Sequence, residues 1–139
     1  MSKIQLSKNF IKSSCKLALN EDLYPSGDIS SELIDKNIKK KVKMICNQNG
    51  ILGGIDFAKE TFKLVDKKIN FKNKKKDGSR IKKGEIVATI DGNLRNILIG
   101  ESVALNFVSH ISGIATKTNM FVKRAVSYTH LTLPTKRIV

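Results

Sequence analysis

Apolar residues recur along this chain in two rhythms. Between Ser7 and Leu23, Phe10, Ile11, Cys15, Ala18 and Leu19 fall at helical intervals with lysines elsewhere, which predicts an amphipathic helix. "YPSGDISS" ends it, because Pro25 and Gly27 interrupt regular structure and Asp28, Ser30 and Ser31 are turn and cap formers. From Lys41 to Met44 lysine and apolar residues alternate before Ile45 and Cys46, the period of a half-buried strand, and "NQNG" supplies a turn. After Gly53 and Gly54 the helical rhythm returns, with Ile55, Ala58, Phe62 and Val65 on one face.

"KKINFK" reads as a short strand, and "NKKKDGSRIKKG" as a polar connection around the turn pair Asp77-Gly78. "EIVATIDG" is a strand with Ile86, Ala88 and Ile90 on one face and Val87, Thr89 and Asp91 on the other. Past Leu94, a helix carries Ile97, Leu98, Leu105, Val108 and Ile111 on a broad apolar face. Gly113 is expected to break it before "IATKTNMFVKRA" continues as another helix. The element order predicts an α+β fold, an open-faced layer of mixed or antiparallel sheet with helices on one face.

Composition narrows the class. A chain of 139 residues with 40% hydrophobic and 27% charged residues has the length and balance of one globular domain. No unbroken apolar run approaches the roughly 18 residues of a bilayer span, and the N-terminus lacks an apolar signal core, so the expectation is a cytoplasmic protein without a membrane partner. Cys15 and Cys46 lack CxxC spacing and histidine neighbours, and read as free thiols.

The net charge of +14 raises the question of nucleic acid. Against it, the arginines are only Arg80, Arg95, Arg124 and Arg137, and aromatic residues, 6% of the chain, do not alternate with basic ones. A solvated lysine face is the expectation, with no nucleic-acid partner.

The informative stretch is "GESVALNFVSHISGIATKT", residues 100–118. Arg95, Ser102, Asn106 and then Ser109 or His110 lie seven, four and three or four positions apart, which puts them on one helical stripe. Such a stripe faces either water or a ligand or neighbouring subunit, where arginine would hold an anion and asparagine or histidine would orient it. His110, a lone histidine, reads as a hydrogen-bonded structural group rather than a proton carrier. No residue is assigned as catalytic or metal-binding.

"EDLYPSGDIS", "NGILGGIDFAKETF", "KKGEIVATIDGNLRNIL" and above all "GESVALNFVSHISGIAT" resemble, in order, blocks of the N-terminal domain of the quinolinate phosphoribosyltransferase family, the carboxylating nicotinate-nucleotide pyrophosphorylases. The resemblance runs from about Ile4 to Ala125 and implies an enzyme of NAD synthesis. Such an enzyme joins quinolinate to the ribose of phosphoribosyl pyrophosphate with the help of Mg2+, and releases nicotinate mononucleotide, pyrophosphate and carbon dioxide. In that family the sandwich domain of one subunit of a homo-oligomer covers the mouth of its partner's α/β barrel. The resemblance therefore implies substrate contacts across a subunit interface for Ser102, Arg95, Glu101, Asn106 and His110. It divides the chain into a sandwich domain, 1–112, and the start of a connection to a barrel, 113–125. A molybdenum-transport relative shares the fold.

Two departures stand out. The family places arginine after the glutamate of its "AER" or "GER" block, where this chain has Ser102 after Glu101; a hydroxyl cannot form the guanidinium's charge-assisted fork. A barrel of about 200 residues and a "DTRKT" block do not follow, and the fragment alone is expected to be inactive. Residues 126–139, "VSYTHLTLPTKRIV", differ in texture from the rest and are expected to be a non-native tail. Two rival classes are a lipoyl or biotinyl carrier module, suggested by "KDGSRIKKGEIVATIDG" but lacking the DKA-like or MKM-like lysine motif, and a basic nucleic-acid-binding domain.

Overall fold

A computed structural model describes residues 6–23 and 33–132, with 126–132 as backbone alone. The predicted turn in "YPSGDISS" lies outside the described residues. The elements are α1 (Lys8–Leu23), β1 (Lys39–Ile45), β2 (Gly50–Ile51), α2 (Ile55–Val65), β3 (Asn70–Asn73), β4 (Arg80–Ile81), β5 (Ile86–Asn93) and α3 (Leu94–Thr132). Local chemistry sets several boundaries. The Ser7 hydroxyl accepts the Phe10 N–H at 3.1 Å and opens α1, and the Asn93 side chain accepts the Asn96 N–H at 3.2 Å and opens α3. At α2 the N-cap is Gly54, which has no side chain to offer. Asp77, from the lysine-dense connection, reaches over instead and accepts the Ile55 N–H at 3.0 Å.

Three strands form a sheet in the order β1-β5-β3, and β2 pairs with β4 in a separate ribbon; every pairing is antiparallel. The expected mixed character is thus corrected among the described residues to a purely antiparallel arrangement, while the α+β open-faced architecture stands. Register explains the open face. Val42 lies opposite Ile90, Met44 opposite Ala88 and Phe71 opposite Ile90, and these side chains meet Phe62, Ile97 and Ala104 of the helices in one core. The alternate positions, Lys39, Lys41, Lys43 and Lys72, face the other way with Thr89 and Asp91. Thr89 is nonetheless buried; Lys43 and Lys72 flank it in register, and lysine stems shelter such positions while their charges stay in water.

Val87 was expected on that outer face and is instead 2% exposed within the core. The register explains this: Met44 pairs with Ala88 but Ile45 with Ile86, leaving Val87 as the extra residue of a bulge. Its carbonyl accepts the N–H groups of both Lys74 and Lys75. A strict two-residue alternation cannot anticipate such an insertion.

The break expected at Gly113 is also corrected: α3 runs 39 residues without interruption through it. One glycine in a helix interior costs only about 1 kcal/mol relative to alanine, too little to end a helix that propagates cooperatively on both sides. Over Leu94–Ala125 α3 is long and apolar enough, by length and composition only, to cross a membrane. Its Asn96, Ser112 and Thr116 side chains, however, bond to other parts of this same domain.

Candidate functional site

The three helices pack through a chain of aromatic rings and one thiol. Phe57 of α2 meets Phe10 of α1 edge-on at 6.5 Å and stacks with Phe107 of α3 at 4.9 Å. Cys15 is fully buried on α1 and donates its S–H to the Phe57 carbonyl at 3.3 Å. Burial pushes its thiol pKa up despite the opposing hydrogen bond to Thr61, so it is a packing group rather than a nucleophile. Cys46 is also a free thiol raised by burial, on the far side of the fold beside Glu85.

Where α1 ends against α3 the two helices leave a groove of about 470 Å³, lined by Ala18, Glu21, Asp22, Val103, Asn106, Phe107 and His110. Asn106 and His110 stand one turn apart on its α3 wall. Ser102, one turn earlier, donates its hydroxyl to the Asp22 carboxylate at 3.3 Å. The structure therefore brings three of the five expected residues, Ser102, Asn106 and His110, to one outward-facing site, all three exposed.

The other two lie elsewhere. Glu101, about 100° around the helix from Ser102, borders a smaller groove of about 230 Å³ between α3 and β1, whose other walls include Met44, Phe62, Ile97, Leu98 and Leu105. Arg95 is half-buried in the first turn of α3, about 10 Å along the axis from Ser102, and lines neither groove. His110 also departs from expectation: its imidazole makes no hydrogen bond with the described residues, because its place on the stripe turns it outward rather than into the core.

Two contributions were not read from the sequence. Glu21 and Asp22 give the groove an acidic wall from α1, so its own charged groups favour a cation over an anion. Ser112 and Thr116 of the "SGIAT" stretch face back into the domain and bond to the backbone of Ile51 and Gly53. Hydroxyls at i and i+4, one helical turn apart, were the available signal for the second pair. Among the described residues there is no group of three or more His, Cys, Asp or Glu side chains that could hold a metal ion.

This geometry has close counterparts. The family model for quinolinate phosphoribosyl transferase, N-terminal domain, matches residues 28–112, which include β1 to β5, α2 and the stripe through His110. A probable nicotinate-nucleotide pyrophosphorylase [carboxylating] from Synechocystis is 33% identical over 73% of this chain and 35% of its own length. The chloroplastic enzyme of that name from Oryza sativa is 34% identical over 93% of this chain and 36% of its own length. Among solved structures, NadC from Streptococcus pyogenes superposes with a TM-score of 0.83 at 35% identity, covering 88% of this chain and 44% of that one. The nicotinate-nucleotide pyrophosphorylase from Francisella tularensis gives 0.81 at 31% identity, over 86% and 42%. The chain thus spans about a third of the length of these curated relatives. With its family model, its relatives and its fold in agreement, the chain belongs to the quinolinate phosphoribosyltransferase family and corresponds to the N-terminal domain of that enzyme.

Proposed function

We propose that this chain is the substrate-covering part of a carboxylating nicotinate-nucleotide pyrophosphorylase. The complete enzyme would transfer the ribosyl phosphate of phosphoribosyl pyrophosphate to quinolinate, releasing pyrophosphate and carbon dioxide, and would work as a homo-oligomer. Residues 1–112 form the covering domain and 113–125 lead toward the barrel; the barrel would supply the residues for Mg2+ and for the chemistry. The observation that carries this reading is the position of Ser102, Asn106 and His110 on a face of α3 that this domain does not enclose. A helix whose polar stripe lines an open groove is suited to close a site contributed by another body.

The groove's residues define its share of the work. Asn106 offers an amide donor and acceptor, His110 an imidazole, and Ser102 a hydroxyl already engaged by Asp22. With two carboxylates and no guanidinium on its walls, the groove contributes orientation, and the charge that binds an anionic substrate must come from the barrel it covers. The lysines of the open sheet face are solvated, and neither nucleic acid nor a membrane enters the proposal. A cytoplasmic location is part of the proposal, and the bonds from Asn96, Ser112 and Thr116 tie α3 to its own domain.

The test is a chimera in which residues 1–125 precede the barrel of the Bacillus subtilis relative, which is 35% identical over 70% of this chain. Formation of nicotinate mononucleotide from quinolinate is the expected result. Ser102→Arg in that chimera should lower the KM for quinolinate by about tenfold or more, the scale of one charge-assisted hydrogen bond. An inactive but folded chimera, or a KM indifferent to Ser102→Arg, counts against the reading.

A further inference from the structure

β2 is only two residues long, and its pairing with β4 satisfies one edge. Its other edge and the corner that follows lie against α3, where backbone N–H and C=O groups without partners would be costly. Two hydroxyls of α3 meet this need. Ser112 Oγ accepts the Gly53 N–H at 2.9 Å and donates to the Gly53 carbonyl at 3.0 Å. Thr116 Oγ1 accepts the Ile51 N–H at 2.9 Å and donates to the Ser112 carbonyl of its own helix at 2.7 Å.

The match is metrical. Residues four apart on a helix rise about 6 Å, and residues two apart on a strand about 6.8 Å. Ser112 and Thr116 therefore face Gly53 and Ile51 rung for rung, as an extra strand would. Sliding the helix by one turn would set Val108 or Met120 against one of the two rungs, and neither carries a hydroxyl. The approach is also as close as the chain permits: a Cβ added to Gly50 would lie 2.5 Å from Thr116 Oγ1, and one added to Gly53 2.8 Å from Ile111 Cγ2. Past this point the helix leaves the domain, with Met120, Phe121 and Val122 all exposed.

We infer that Ser112 and Thr116 are positioning residues: their clasp on Ile51 and Gly53 fixes the direction in which the later turns of α3 leave the domain, and so sets how the domain, with Ser102, Asn106 and His110 fixed on it, is held over the site it covers. The first half of this inference concerns the chain alone; the second rests on the proposed function. Packing of Ile97 and Ala104 holds the early turns of α3 whatever happens at the clasp. Loss of the hydroxyls therefore releases the direction of the later turns rather than the fold.

The experiment uses the 139-residue chain with Thr116→Val, which keeps shape and removes the hydroxyl, and the double variant Ser112→Ala/Thr116→Val. Backbone N–H residual dipolar couplings report the orientation of α3 relative to α2, and amide exchange reports the Ile51 and Gly53 N–H groups. In the parent chain both helices should fit one alignment. Thr116→Val should speed exchange at Ile51 by about tenfold, the double variant should also release Gly53, and residues after 112 should then need a separate orientation. Thr116→Ser should restore the parent values. Unchanged couplings and exchange in Thr116→Val overturn the inference even if the double variant fails to fold. In the chimera, Thr116→Val should raise the KM for quinolinate more than it lowers kcat, with rescue by Thr116→Ser. A clasp seen by NMR without that KM effect would overturn the second half, whereas an inactive parent chimera would indict the proposed function and leave the NMR result standing.

Discussion

The two halves of α3 share one unbroken helix and differ in everything around it. Before Ser112, Ile97, Val103 and Ala104 are buried, and the Asn96 amide donates to the Asp66 carboxylate at 2.9 Å. After Thr116, Met120, Phe121 and Val122 are exposed, Phe121 by 75%. Helicity propagates along the backbone and is indifferent to this change. Burial depends on which other segments arrive, and past the Ser112–Thr116 clasp the described segments leave Met120, Phe121 and Val122 in the open.

The sharpest way to break the comparison is at the covered half. Phe62 is 2% exposed, stacks with Phe71 at 6.0 Å, and would lie 3.1 Å from a Cβ placed on Gly100 of α3. It thus joins α2, the sheet and the first turns of α3 in one contact. Phe62→Ala should destabilise the chain by about 3–5 kcal/mol, read from urea unfolding with a far-ultraviolet signal. A loss under about 1 kcal/mol would mean that α3 is not seated on α2 as described.

Legibility divided along the same line. α1, β1, α2, β5 and the start of α3 were readable because local rules dictate them: helical spacing and alternation. Ile55, Ala58 and Phe62 came out on the buried face as their spacing required. What the sequence did not disclose depends on distant partners. β2 and β4 are two residues each and carry no period. The bulge at Val87 is a property of a pair of strands, and the Asp77 cap spans 22 residues to reach Ile55. The stripe through Ser102, Asn106 and His110 was visible as a spacing. Its acidic opposite wall was not, since Glu21 and Asp22 meet it only through the packing of α1.

A gentler probe acts on a polar tie from the covered half to the end of α2. The Asp66 carboxylate accepts the Lys68 N–H and the Asn96 amide, each at 2.9 Å, and these bonds hold its pKa below the usual carboxylate value. A carboxylate with a lower pKa in the folded state contributes stability that is complete above its unfolded pKa, about 3.9, and disappears as pH falls through the folded value. Urea midpoints measured from pH 7 down to about 2.5 should therefore fall less steeply for Asp66→Asn than for the parent chain below about pH 4. Asn96→Ala should lie between them, because the larger cause, the Lys68 N–H, remains. Identical pH profiles for all three chains would remove Asp66 from the account of how α3 is held.

The smallest effect on stability belongs to the uncovered half, and its smallness carries the information. Phe121 has little burial to lose here, so Phe121→Ser should shift the urea midpoint by no more than about 0.5 kcal/mol equivalent, as surface substitutions do. The same substitution removes the largest exposed ring from a run that includes Met120 and Val122, and contiguous apolar surface of this kind drives association. Sedimentation velocity of the chain should show less self-association for Phe121→Ser than for the parent, whereas Phe62→Ala should increase association by loosening the core. If Phe121→Ser instead cost as much stability as Phe62→Ala, the distal turns would be packed within this domain, and the contrast between the two halves of α3 would fail.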